Sequence, residues 1–502
     1  MLGASAMKSW MTLITRTSAI LLTWAISVHV ASAQSTSDGW LGGKQSPNFP
    51  QPLSPASPTS FLQQSPSTQA LPGSQPAAPQ ANTGSNQSST PAPSESNWTL
   101  SAQEFQAGLA SMSPGRFGDT KYKWYGFVRL DGIFDFNPIK STDMFVTSSI
   151  PVPQGRGQNA VLTPRYSRIG FDTSTPWKDM DWDINTKIEM DFFNGNTSGA
   201  FGSFPIRLRF AYIDVGPFRI GQAASLFMDY DVFPDVLDYE GPPGMVLMRQ
   251  PIVSVKWDVT DRFTVRLGVE QMYSDISWDD GTGYTVNPGT GIISTPGAPR
   301  NIQDVPDLTG NMEYNHGYGH VQVAGIARKL TYQPAVEESN SRLGAGVNFT
   351  GTLHPWALLS GCLPENASER TPLQKSRLLG QYATGKGINR YIQDINGLGL
   401  DAVFEPAEGF NALRSTGWFA CYEHFWTDKW ISNICYGQAK TDLPEGVPDN
   451  TYKSASYVAA NIIWLPVERM GVGLEYLIGD REDKNGERGT AHRIQAGVQY
   501  KF

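Results

Sequence analysis

From Trp182 to Phe192 the chain alternates without a break. Trp182, Ile184, Ile188, Met190 and Phe192 fall on one side, and Asp183, Asn185, Lys187, Glu189 and Asp191 on the other. A period of two marks a strand, because successive side chains leave it on opposite faces. This strand has one oily face and one charged face. The pattern recurs elsewhere. Trp124, Val128, Leu130, Phe134 and Phe136 oppose Arg129, Asp131 and Asp135. Leu208, Phe210 and Tyr212 oppose Arg207 and Arg209, and Phe263, Val265, Leu267 and Val269 oppose Arg266 and Glu270. Val472, Leu474, Tyr476 and Ile478 oppose Glu475.

A soluble sandwich alternates too, but three features favour the membrane. Trp124, Trp177, Trp182, Trp257, Trp430 and Trp464 stand at strand ends, as interfacial girdles do. The chain closes on Ile494, Ala496, Val498, Tyr500 and Phe502, an amphipathic strand with a terminal Phe. That ending resembles the signal read by the outer-membrane barrel assembly machinery. Connections also alternate in length. Those at 176–180, 215–217, 259–262, 315–317, 427–429 and 466–470 are short, and those at 137–162, 227–244, 274–306, 387–409 and 479–490 are long. Short turns at one end and long loops at the other are the asymmetry of outer-membrane barrels. The expectation is an all-β fold, a transmembrane antiparallel β-barrel of about 16 strands over residues 121–502. Residues 353–373 lie where a short turn belongs, so they are an insertion or a miscounted strand.

Composition narrows the alternatives. Lysine plus arginine is 39 and aspartate plus glutamate is 47, a net charge of -8. A nucleic-acid partner needs a basic face, so none is expected. Repeated apolar runs of about 20 residues, needed by helical membrane proteins, are absent from the sequence. Three cysteines are too few for a disulfide scaffold.

The first 120 residues divide into three parts. Residues 1–33 read as a signal peptide, with Lys8 and Arg16, a short apolar core at 20–28 and an Ala31-Ser32-Ala33 cleavage site. Residues 34–97 read as a disordered Pro/Ser/Gln-rich linker, since 45–94 contain no charged side chain and few large apolar ones. Residues 98–120 read as a short helix and lead-in. Ser101 and Glu104 fit a capping box, and Phe105, Leu109 and Met112 share a face.

With these residues in place, the sequence resembles the DcaP-like family of trimeric outer-membrane porins. The resemblance is carried by Ser167-Arg168-Ile169-Gly170-Phe171, by Arg207-Leu208-Arg209-Phe210-Ala211-Tyr212, and by Gly221-Gln222 leading to Phe227-Met228-Asp229. It continues through Asp238-Tyr239-Glu240-Gly241-Pro242, Arg249-Gln250-Pro251, Gly319-His320-Val321-Gln322, Gly387-Ile388-Asn389-Arg390-Tyr391 and the last strand. It implies a 16-stranded porin, usually a homotrimer, that admits small anionic solutes such as dicarboxylates. The chain departs from the family at the Pro-rich segment, which replaces a coiled coil, and at 353–373.

A channel needs a water-filled lumen and a constriction whose charges sort solutes. Alternation turns Arg129, Arg168, Arg207, Arg209, Arg266, Arg328, Arg493, Lys187, Lys256 and Lys501 inward, because outward arginines near the midplane cost about 2–4 kcal/mol each. Arg165 and Arg249 are ambiguous, since a shift of one residue flips them. Residues 227–244 are the expected constriction loop. Asp229, Asp231, Asp235, Asp238 and Glu240 on that loop are expected to face wall arginines across the pore, or else to neutralise them and hold the loop down. Cys421 and Cys435 are equidistant from Asp428, which pairs them across a hairpin as a candidate disulfide, and the same register pairs Trp426 with Trp430.

Other signals carry less. Gly380 to Gly387 nearly matches a phosphate loop, but Gly387 replaces the Ser or Thr. His316 and His320 lack a third ligand in the sequence, so no metal is expected. No enzyme activity and no cofactor are expected; a barrel lipase with a scattered triad is the enzymatic alternative. The reading is a passive porin in the bacterial outer membrane, with lipids and small anions as partners. The alternative is a β-barrel anchor that presents the Pro-rich arm to the cell wall or a partner.

Overall fold

The computed structural model describes residues 115–180, 182–194, 204–278, 300–302, 304–333, 339–361, 369–405 and 409–502. The expected signal peptide, the expected linker, the helix expected at 98–113 and Cys362 lie outside the described residues.

Sixteen strands form a closed antiparallel wall. In chain order they are β1 Thr120–Asp135, β2 Arg168–Trp177, β3 Trp182–Asp191, β4 Arg207–Val215, β5 Phe218–Ala224, β6 Arg249–Thr260, β7 Phe263–Glu270 and β8 Asp307–His316. They continue as β9 Gly319–Gln333, β10 Asn340–Leu353, β11 Arg377–Lys386, β12 Arg414–Thr427, β13 Trp430–Thr441, β14 Tyr452–Trp464, β15 Met470–Asp483 and β16 Arg488–Lys501. Each pairs with the next, and β16 returns to β1 from Phe127↔Lys501 to Asp135↔Arg493. Closure leaves no wall edge with unpaired amides, which is what lets strands cross a bilayer.

Alternation sets the two faces. Leu474, Tyr476, Ile494, Val498 and Tyr500 are exposed on the outside, while Glu475, Arg493, Gln495 and Gln499 are buried inside. Short turns gather at one end, and tryptophans mark it. Trp177 meets its register partner Trp182 edge-on with ring centroids 6.4 Å apart. Trp430 stacks on Trp464 at 5.9 Å.

Two expectations change, and one open alternative resolves. In β4, Glu189 pairs with Phe210 and Met190 with Leu208, so Arg209 is the extra residue of a bulge. Beyond a bulge the faces exchange. Leu208 stays outward, but Phe210 and Tyr212 turn inward and line a cavity. A second bulge at Trp426 pairs Trp430 with Thr427, not with Trp426. The segment at 353–373 is an insertion and not a lost strand, because β10 and β11 pair directly across it. It contributes the short helices Pro355–Ser360 and Pro372–Lys375, the second with a capping box from Thr371 and Gln374.

Candidate functional site

Residues 225–248, between β5 and β6, fold into the barrel from the long-loop end. The root is stapled to the wall. Leu226 N donates to Glu270 Oε1 at 2.8 Å, and Asn348 Nδ2 donates to Phe227 O at 2.8 Å. His320 Nε2 lies 2.8 Å from Asp229 Oδ2, which also accepts from Thr350. The middle of the loop reaches the short-turn half of β12 to β15. There Asp235 N donates to Glu423, Leu237 N and Asp238 N donate to the two oxygens of Glu475, and Asn433 and Asn461 donate to Asp235 O. Buried wall side chains thus satisfy loop amides and carbonyls that would otherwise cost the full desolvation penalty.

The contact is close because the wall carries glycines at the points where the loop backbone and Leu237 press on it. A Cβ on Gly417 would come 2.5 Å from Gly244 O, and one on Gly473 would come 2.9 Å from Leu237 Cδ1. Inward-facing glycines on β12 and β15 therefore let the loop lie on the sheet. This is a sequence signal that alternation alone passes over.

The loop fills the β11–β15 side and leaves a cavity of about 620 Å³ against the opposite wall. Arg168, Lys187, Arg209, Arg249 and the loop residues Phe233 and Tyr239 are among its lining. Eight basic and five acidic side chains line it. Arg209 Nε donates to Glu189 Oε1 at 2.6 Å, and its terminal nitrogen donates to Asp191 at 3.0 Å. Arg168 Nε lies 3.5 Å from the same Glu189 oxygen. The Tyr239 hydroxyl accepts from Arg168 at 3.0 Å and from Arg209 at 2.7 Å, and donates to Asp191 at 2.9 Å. Its ring stacks with Tyr166 and Phe193, at centroid distances of 4.8 and 4.9 Å. Arg249 donates to the Tyr230 hydroxyl at 2.6 Å.

The expected field of loop acids facing wall arginines is not what the structure builds. Asp229 is engaged with His320, Thr350 and the amide of Asp231. Asp235 is fully buried on the opposite side of the lumen, and Asp238 accepts from Phe145 N at 2.9 Å and Gly241 N at 3.0 Å. Of the five, only Asp238 and Glu240 line the cavity. The arginines instead find wall carboxylates, Glu189 and Asp191, because neighbouring strands bring those groups within bidentate reach. Burial, with Asp238 beside it, pushes the Glu240 carboxyl up to about 8. Burial and the nearby Asp229 push Asp231 up to about 7.

The other predicted residues divide by what covers them. Arg129 lines the cavity beside Asp131, and Arg207 is inward and paired with Asp191. Arg266 pairs with Glu313 elsewhere on the inner wall, and Lys256 sits exposed beside Asp258. Arg328 and Arg493 face inward but do not reach open lumen. Arg328 is enclosed between Asp307 and Asp401, and Arg493 binds Asp135 beneath Ser141 and Thr142. Alternation gives a residue's facing, not the loop folded over it. Of the two ambiguous arginines, Arg165 joins Asp143 in an ion pair and Arg249 lines the cavity. Lys121, Lys123, Arg219, Tyr239 and Tyr230 are lining residues that alternation did not select. Cys421 and Cys435 are register partners with Cα atoms 4.2 Å apart and are joined as a disulfide.

Among the described residues, Asp229, Asp231 and His320 bring metal-type ligand atoms within 4.8 Å of one another. Asp229 Oδ2 is already shared between His320 and Thr350, which ties the loop down. His316 is not part of the group; its Nδ1 accepts from Tyr318 N in the turn.

Residues 106–274 match the family model described as DcaP outer membrane protein. The chain is similar to the outer membrane channel DcaP of Acinetobacter baumannii, at 18% identity and a TM-score of 0.62, over 78% of this chain and 100% of that one. It is also similar to OmpF of Salmonella typhi, at 13% identity and TM-score 0.47, over 78% and 100% of the two chains. An anion-selective porin from Comamonas acidovorans gives 8% identity and TM-score 0.47, over 76% and 100%. No curated protein matches the sequence. The resemblance to the DcaP family thus rests on residues 106–274, and the described residues share the closed β-barrel fold of the DcaP channel.

Proposed function

We propose that this DcaP-like outer-membrane barrel is a passive diffusion channel for small hydrophilic anions, carboxylates foremost. Arg249 is the observation that carries the reading. It lines the cavity, donates to the Tyr230 hydroxyl, and has no carboxylate within ion-pairing reach among the described residues. Phe210 and Tyr230 pack against its guanidinium at 5.9 and 6.0 Å. A largely desolvated cation without a counter-charge draws an anion from solvent. Its planar fork fits the two oxygens of a carboxylate.

Arg168, Arg209 and Lys187 line the same cavity, so an anion that leaves Arg249 meets further cations. Arg168 and Arg209 are already shared with Glu189 and Tyr239, which keeps each contact weak. Conduction needs that balance, since a solute must bind well enough to enter and loosely enough to leave. The basic majority around the cavity outweighs the net charge of -8, because screening confines each charge to about 8–10 Å at physiological salt. The assembly we propose is the homotrimer that the resemblance implies.

The test is reconstitution. Purified full-length protein in planar bilayers should give stepwise conductance, and in liposomes it should admit mono- and dicarboxylates faster than uncharged or cationic solutes of equal size. Bilayers without steps, or uptake indifferent to charge, would sink the reading.

A further inference from the structure

The outer face of the barrel carries a pair of cations that the channel does not use. Lys386, the last residue of β11, stands directly opposite Arg414, the first of β12. Both are exposed, whereas Leu413 and Ser415, the chain neighbours of Arg414, are buried on the inner side. Residues opposed in an antiparallel pair hold their Cβ atoms about 4.5–5.5 Å apart, where like charges repel. Among the described residues, no carboxylate comes within ion-pairing reach of either. Asp442, whose amide bonds Arg414 O at 2.9 Å, turns its carboxylate to Lys440 at 3.3 Å. Lys440 of β13, opposite Thr416 of β12, stands on the same rim already paired with Asp442.

The residues below this pair point to what balances it. Moving along β11 and β12 toward the short-turn end, the next outward pair is Thr384 and Thr416, with hydroxyls 3.1 Å apart. Then come Tyr382 opposite Trp418, and Gly380 opposite Ala420. The order is cations, hydroxyls, aromatics, then small apolar residues. It follows a lipid leaflet from headgroup to acyl chain, with the aromatic rings at the interface.

We infer that Lys386 and Arg414 clamp the phosphate of a lipid headgroup in the leaflet at the long-loop end. The guanidinium supplies a planar fork and the ammonium a point charge, and one phosphate between them removes the repulsion. Free phosphate offers the same oxygens. The aromatic pair below the threonine hydroxyls favours a ligand that also has acyl chains.

Full-length protein in detergent, loaded with a diphosphorylated glycolipid and washed into lipid-free detergent, tests this by native mass spectrometry. The unaltered protein should retain the glycolipid and lose its dephosphorylated form. The double substitution Lys386→Ala with Arg414→Ala should retain about tenfold less, a loss near 1.4 kcal/mol. The exchange Lys386→Arg with Arg414→Lys should restore retention. Unchanged heat-modifiable migration of each variant on gels reports an intact barrel. Equal retention by the double alanine variant, or equal retention of the dephosphorylated glycolipid by the unaltered protein, overturns the proposal. Complete displacement of the glycolipid by inorganic phosphate at equal concentration would assign the site to the free ion and overturn it as well.

Discussion

The hydroxyl of Tyr239 accepts a 2.7 Å hydrogen bond from Arg209. It joins the tip of an infolded loop to the bulge of a wall strand. The same oxygen accepts from Arg168 and donates to Asp191, so one phenol links two guanidiniums and a carboxylate from three strands.

Tyr239→Phe keeps the ring that stacks on Tyr166 and Phe193 but removes that oxygen. Charged groups then lose hydrogen bonds worth about 1.5–3 kcal/mol each. The loop should loosen. Single-channel current should become noisier, and the temperature at which the barrel opens on gels should fall. A variant with unaltered noise and melting would show that the hydroxyl does not hold the loop.

Arg493→Ala should behave as a structural lesion and not as a selectivity variant. Arg493 and Asp135 are both fully buried, with Nε 2.6 Å from the carboxylate. Removing one partner leaves a buried charge, at a cost of about 3–5 kcal/mol. Outer-membrane levels should drop, while the channels that do form should keep their ion preference. Normal levels with altered preference would place Arg493 in the conducting path.

The cavity should respond to pH through Glu240. Its carboxyl is raised from an ordinary 4.5 to about 8 by burial and by Asp238. A raised acid holds its proton in the folded protein where the unfolded chain has lost it. The stability it contributes is therefore complete below 4.5 and is lost as pH rises through about 8. Above that, a new negative charge also lines the cavity. Anion preference measured at about pH 9 should be weaker than at about pH 6, and Glu240→Gln should flatten the difference. An equally steep dependence in the glutamine variant would exclude Glu240 as the titrating group.

Much of this was readable in the sequence. Alternation alone separated Leu474 from Glu475 and Ile494 from Arg493, because the cost of an outward charge near the midplane leaves one facing. It misassigned Phe210 and Tyr212. The bulge at Arg209 adds one residue to β4 without disturbing the spelling of the strand, and only pairing with Glu189 and Met190 exposes it. Loop contacts were also out of reach. Asp235 meets Glu423 across 188 residues and Asn461 across 226, and no local pattern encodes such distances. Gly417 and Gly473 were a partial clue, since inward glycines on barrel strands make room for backbone.

The most direct test of the central claim is the single-channel reversal potential of the unaltered protein under an about tenfold salt gradient, at ionic strength low enough to leave the cavity charges unscreened. The account predicts the sign of an anion-preferring pore, and a shift toward zero in Arg249→Ala. A potential of the cation-preferring sign, or one that Arg249→Ala leaves unchanged, would contradict it.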